Sequence, residues 1–444
     1  MTKCKPWFMK LCLIVFFLSS ISIFPEVSAQ SAPNLKVKSA VVVDSQVGQI
    51  LADQDSDELV EVGALTKILG LYLILKAVED GQYGLGDYVP ISDQAYALSQ
   101  DYDIHNVPLR QDFNYTVKEL IQSIAINGAN GSMLALAEFH SENEQSFVKA
   151  MENQLKAWNI DNYHLYNATG LADEFIPNDV STIDQGQVNQ MTAYACATAT
   201  YQLLQLYPEF IEDTGRTKAI FKGDSNDPFD MTTTVEMLPG MAYEYEGVNG
   251  LIIGTSFSDG DSAIITSQRN DLSVITVLLG TGRQGDGSRY KQAKIILDYI
   301  YATYVSNPVI LQGQEVTQMA QIKVDNGSQD YVDIDYGSSL TLATPIIDTA
   351  PRLTYHFVKK EEVFKGQETL KAPIKAGTEI GYMVVDVEGV ESQFLDFSLG
   401  NTVPVVVRNR ITELNWFDKM LKGVGETVDN TWESTRKFFT DIFN

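Results

Sequence analysis

A lysine three residues after a serine, at the start of a helix, pairs a nucleophile with a base. Positions i and i+3 share one helix face, so the amine reaches the hydroxyl proton. Two stretches bear on this arrangement. Ser434-Thr435-Arg436-Lys437 has it literally, but in a C-terminal helical stretch where Ser434 reads as a solvent-facing residue. Gly63-Ala64-Leu65-Thr66-Lys67 has the lysine where an irregular loop turns into a helix, with Ala64 at the hydroxyl position. Taken alone, that second stretch is an ordinary helix start. Ser132, Ser256 and Ser141-Glu142-Asn143 supply other hydroxyls, none with a base at this spacing.

Other chemistries find less support. The four histidines, His105, His140, His164 and His356, are scattered, with no paired cysteines, so no metal site is expected. The acidic run Asp53-Gln54-Asp55-Ser56-Asp57 suggests calcium, but Glu58 stands where a calcium loop turns on glycine, and a solvated loop is the better reading. Gly260-Asp261-Ser262 is not a nucleophile elbow. No cofactor is implied. With 32 Lys+Arg against 58 Asp+Glu and a formal charge of −26, the chain is a poor partner for nucleic acid, whose affinity rests on neutralised phosphates.

These residues need a scaffold, and its first segment reads as an address. Residues 1–29 have the layout of a secretory signal: Lys3, Lys5 and Lys10, an apolar run from Leu11 to Phe24, then the small-residue cleavage site Val27-Ser28-Ala29. Cleavage after Ala29 removes Cys4 and Cys12 and takes the charge to −28. Cys196 then remains alone in an apolar helical stretch, as a small hydrophobe.

Residues 37–52 read as a β-hairpin. Helices are expected at 64–80, about 116–126, 132–158 and 191–207, strands near 248–253, 262–268 and 272–280, and a closing helix at 287–304. Strand, helices, strands in that order predict an α+β domain over 35–306. A linker is expected at Ser306-Asn307-Pro308. Short alternating runs over 309–409, among them Ser392–Ser398, predict a small all-β domain. Residues 412–444 are expected to form an amphipathic helix, with Trp416, Phe417, Leu421, Trp432 and Phe439 on its apolar face. Such a face either lies in a membrane interface or packs on protein.

The order of these segments resembles the low-molecular-mass penicillin-binding proteins, the serine-type D-alanyl-D-alanine carboxypeptidases. Residues 44–58 look like that family's opening hairpin. Gly63–Lys67 is similar to its S-x-x-K turn. Gly128-Ala129-Asn130 resembles its S-x-N segment, Tyr166-Asn167-Ala168-Thr169-Gly170-Leu171 its N-x-x-G-L turn, and Tyr207-Pro208-Glu209 its Y-P-E. Gly250-Leu251-Ile252-Ile253-Gly254 stands where the family has G-L-K-T-G, followed by Thr255. The resemblance implies a penicillin-recognising, transpeptidase-like fold with a C-terminal β-domain and an anchoring helix.

It also implies roles for particular positions. The serine is acylated, the first lysine helps take its proton, the second serine relays protons, and the second lysine binds the substrate carboxylate. In this chain the nucleophile position is Ala64, the relay position Gly128 and the carboxylate-binding position Ile252, while Lys67, Asn130, Gly254 and Thr255 are kept. Three losses together predict a pseudoenzyme that binds a peptidoglycan stem peptide or a cell-wall protein. Its expected place is the outer face of the bacterial cytoplasmic membrane, held by the C-terminal helix. The alternatives are an active carboxypeptidase with a relocated nucleophile and a non-enzymatic structural surface protein.

Overall fold

In the computed structural model, residues 31–172, 186–256, 259–347, 350–388, 390 and 392–415 are described. The signal segment 1–29 and the proposed anchor residues Trp416, Phe417, Leu421, Trp432 and Phe439 lie outside them.

Strand Ser39–Asp44 is buried at every position, as a strand covered on both faces must be. It pairs antiparallel with Gln49–Gln54 on one side and with Leu272–Thr281 on the other, in the register Val41↔Val277 and Val43↔Ile275. Gly260–Arg269 and then Val248–Ser256 extend the sheet. Successive side chains point to opposite faces. Val41, Val43, Ile264 and Val277 pack against a helical core that includes Leu69, Ile121, Met133 and Ala197. Ala40, Val42, Ile265 and Leu278 pack the other way, with Ile296 and Leu297 of helix Ser288–Thr303. This is the expected α+β architecture.

The helix expected over 132–158 is two helices, Asn130–Ser141 and Glu144–Ala157. Glu142 takes a left-handed conformation (φ 65°), and the Asn143 side chain accepts from the Ser146 N–H at 2.8 Å, capping the second helix. Helix Asp93–Ser99 and hairpin Lys218–Phe221/Phe229–Thr232 had no clear periodicity in the sequence.

A second six-stranded sheet runs, in spatial order, Leu353–Lys359, Glu379–Val387, Thr402–Val407, Tyr331–Tyr336, Gln321–Asp325 and Leu370–Lys371. Its core is built from alternating residues such as Ile322, Val324, Ile334, Val385 and Val405. One helical turn, Glu361–Phe364, interrupts the otherwise all-β stretch. Two expectations are corrected here. The stretch expected as a linker, Ser306-Asn307-Pro308, lies inside strand Tyr304–Ile310, which pairs with Leu340–Pro345. The strand expected at Ser392–Ser398 shortens to Gln393–Phe394 and does not join the second sheet. It pairs with Ile50 and Gln49, becoming the border strand of the first. The Gln49 side chain also exchanges two 3.0 Å hydrogen bonds with the Ala343 backbone, which ties the first sheet to the two-stranded pair Tyr304–Ile310/Leu340–Pro345.

Candidate active site

The helical face of the first sheet opens into a cleft of about 200 Å³ at the Val248–Ser256 strand. Ala64, Lys67, Gly128, Asn130, Ile252 and Thr255 all line it, so positions far apart in sequence meet there. A 3-10 turn, Gly63–Leu65, leads into helix Thr66–Glu79, which puts Lys67 in the first helical turn. That helix is apolar nearly all round and buried accordingly. Ala64 is half-buried at the cleft.

Lys67 is 1% exposed and has no hydrogen bond or ion pair among the described residues. Burial alone pulls its amine down to about 7. Between pH 7 and the ordinary lysine range the unfolded chain therefore holds more protons than the folded one, and stability rises with pH. Below pH 7 the full cost of the buried cation is present. We expect Lys67→Met to be more stable than the parent by about 2 kcal/mol or more at pH 6, the gap closing by about pH 10. Urea titrations at both pH values check this; a gap independent of pH would refute it.

Gly128 ends helix Val117–Asn127 in the left-handed region (φ 74°), its N–H bonded to Ile124 O at 2.9 Å. A Cβ there would meet His105 Cβ at 3.7 Å and Thr234 Cγ2 at 3.9 Å, ordinary contacts. Backbone conformation, not space, favours glycine. Asn130 opens the next helix and donates its Nδ2 to His105 O at 2.9 Å. Its Oδ1 is buried with no partner, and Lys67 and Asn130 share no hydrogen bond. The His105 ring is held below its usual range by burial, then by the Lys67 and Arg289 charges.

Ile252 is 5% exposed, packs into the helical core and pairs with Ile264. Gly254 and Thr255 are engaged by residues that sequence reasoning missed. Arg289 Nη1 donates to Gly254 O at 2.9 Å and Ser262 O at 3.2 Å; Nη2 meets Thr255 Oγ1 at 3.5 Å and ion-pairs with Asp261. Asp261 also accepts from Thr255 Oγ1 at 3.3 Å and from the Gly285 N–H at 2.9 Å. Arg289 and Asp261 are 5% and 0% exposed.

The opposite wall is the 167–171 turn. Asn167 Oδ1 accepts from the N–H groups of Thr169 and Gly170, at 3.1 and 2.6 Å. The Asn189 amide donates to Asn167 O at 2.8 Å and to Thr66 Oγ1 at 3.1 Å, pinning the turn to the Lys67 helix. Glu144 accepts from the Ala168 N–H at 2.9 Å, and burial pushes its carboxyl up to about 7. A Cβ on Gly170 (φ 77°) would fall 1.8 Å from Gly63 O, so only glycine fits.

Among the other hydroxyls, Ser132 is fully buried, accepts from Ser123 Oγ at 2.7 Å and does not line the cleft. Ser434 lies outside the described residues. Among the described residues no group of three or more His, Cys, Asp and Glu could hold a metal ion, and no helix is long and apolar enough to cross a membrane.

Comparison with known proteins agrees with this geometry. A sequence profile of the D-alanyl-D-alanine carboxypeptidases, peptidase family S11, matches residues 26–282. The chain is 27% identical over 355 residues to D-alanyl-D-alanine carboxypeptidase DacF of Bacillus subtilis (strain 168), covering 80% of this chain and 82% of that one. It is 22% identical over 400 residues to DacA of Escherichia coli (strain K12), covering 88% and 87%. In structure it is similar to a peptidoglycan synthesis regulatory factor (PBP3) from Streptococcus pneumoniae, with a TM-score of 0.74 and 26% identity over 85% of this chain and 100% of that one. Penicillin binding protein 5 of Haemophilus influenzae shares the fold, with a TM-score of 0.66 and 18% identity over 86% and 99%. A cleft that gathers the three motif positions beside one sheet edge, within a chain matched over this span, places the protein in a known lineage: it belongs to the D-alanyl-D-alanine carboxypeptidase family of peptidoglycan metabolism, the S11 serine peptidases.

Proposed function

We propose that the protein is a secreted, membrane-associated pseudoenzyme of this family, which binds a peptidoglycan stem peptide or a cell-wall protein without turning it over. One observation carries the reading: the residue at the nucleophile position, beside Lys67 in the cleft, is Ala64. A methyl group cannot accept an acyl group, and a neutral Lys67 has no hydroxyl there to deprotonate. The two other losses, Gly128 and Ile252, support it. The buried Ser123–Ser132 pair argues against a relocated nucleophile. Residues 412–414, expected as the start of the C-terminal helix, instead bond the backbone at 326–328 of the β-domain, so the proposed anchor is the stretch from 416 to 444, held to the outer face of the cytoplasmic membrane by Trp and Phe burial rather than by charge. A role short of catalysis also suits a chain similar to a protein described as a regulatory factor of peptidoglycan synthesis.

The test is incubation of the purified protein with a fluorescent penicillin, read on a denaturing gel and by intact mass. We expect no covalent adduct. A stoichiometric adduct would overturn the reading.

A further inference from the structure

Building on that reading, we propose that the cleft selects peptide ends that carry no charge, a carboxamide or a continuing chain, over the same peptide ending in a free carboxylate. Two independent observations lead there.

The first is that, among the described residues, the cleft offers an anion no cation that is both unpaired and favoured by its surroundings. Ile252 presents an aliphatic side chain from the strand. Arg289 lies behind that strand, but its charge is matched by Asp261, and its two Nη atoms are committed to Gly254 O, Ser262 O, Thr255 Oγ1 and Asp261. Thr255, the hydroxyl at the same edge, is spent on the same pair. Lys67 is buried in an environment that disfavours its cation, and His105 is disfavoured as a cation too. The remaining ionisable lining groups, Glu61 and Asp103, are acids. A carboxylate entering this cleft would lose its hydration and meet no compensating charge.

The second is an acceptor awaiting a donor. Asn130 is 3% exposed, its amide nitrogen is committed to His105 O, and its Oδ1 is buried with no partner. A buried acceptor favours a ligand that brings an N–H. A peptide carboxamide or a following peptide bond brings one; an ionised carboxylate brings only further acceptors.

The experiment compares two probes on the full purified protein by calorimetric titration: diacetyl-L-lysyl-D-alanyl-D-alanine and its C-terminal carboxamide. The carboxamide is expected to bind at least roughly 10-fold more tightly. In Ile252→Lys, which restores a cation without touching the buried ion pair, that preference is expected to shrink or reverse. Equal binding of the two probes, or tighter binding of the acid, overturns the inference and leaves the pseudoenzyme reading standing. A preference unchanged in Ile252→Lys removes its electrostatic basis. Failure of both probes to bind at 10-millimolar levels (about the weakest affinity such titrations resolve) overturns the inference together with the stem-peptide reading.

Discussion

Ala64→Ser alone is expected to leave acylation by penicillin at least roughly 10³-fold slower than Ala64→Ser combined with Gly128→Ser and Ile252→Lys. Members of a catalytic set act as a unit, and loss of one member can remove as much as roughly 10⁶ in rate. The single variant regains a hydroxyl beside an amine whose cation is disfavoured by burial. It still lacks the proton relay at 128 and the cation at 252. The structure accommodates the added groups unequally. A serine at 128 finds space and meets only the left-handed backbone, about 1 kcal/mol for a non-glycine residue. A lysine at 252 must replace a side chain packed into the helical core, so its stem has to follow the strand toward the cleft mouth. Labelling time courses on the single and triple variants decide the matter. A single variant as fast as the triple would show that the two outer positions carry little of the chemistry.

Asp261→Ala is expected to cost about 3–5 kcal/mol of folding stability. Removing one partner of a buried pair leaves the other charge without compensation. Here the loss also strips an acceptor from the Thr255 hydroxyl and the Gly285 N–H. Guanidinium titrations should show a lower midpoint at an unchanged slope. Adding Arg289→Met should recover much of the loss, because the uncompensated charge leaves with it. A cost under about 1 kcal/mol for the single substitution would mean that water reaches Arg289, and the sequestration argued above would fail.

Much of the fold was legible because one period governs each element. Val41 and Val43 against Ala40 and Val42 is a two-faced strand written in the sequence. The break at Glu142 was less legible: its marks are a polar run from Ser141 to Ser146, which an exposed helix face also tolerates, and the Asn143 cap at the restart. Pro308 read as a linker because proline weakens a strand, yet a two-stranded border tolerates it. At the site, Ala64, Lys67, Gly128, Asn130 and Ile252 were found through local motifs, and the fold brings them to one cleft. Arg289 and Asp261 were invisible for the opposite reason. Neither belongs to a local pattern, and their pairing exists only because helix Ser288–Thr303 packs on the sheet. The Asn189 tie to Thr66 spans 123 residues and is equally silent in sequence.

The border strand Gln393–Phe394 bears on where the protein can be cut. A fragment ended near residue 310 looks like a natural unit, since it keeps the cleft and its helices. It would also strip strand Gln49–Gln54 of its neighbour, baring the backbone groups of Gln49 and Ile50 and those of Val47 and Gly48, which bond Gly400 and Leu395. An uncovered sheet border is a template for other chains. The shortened protein should therefore self-associate in solution while its cleft stays intact, and a fragment carrying residues through 415, which keeps the central strand Thr402–Val407 of the second sheet, should remain monodisperse at the same concentration.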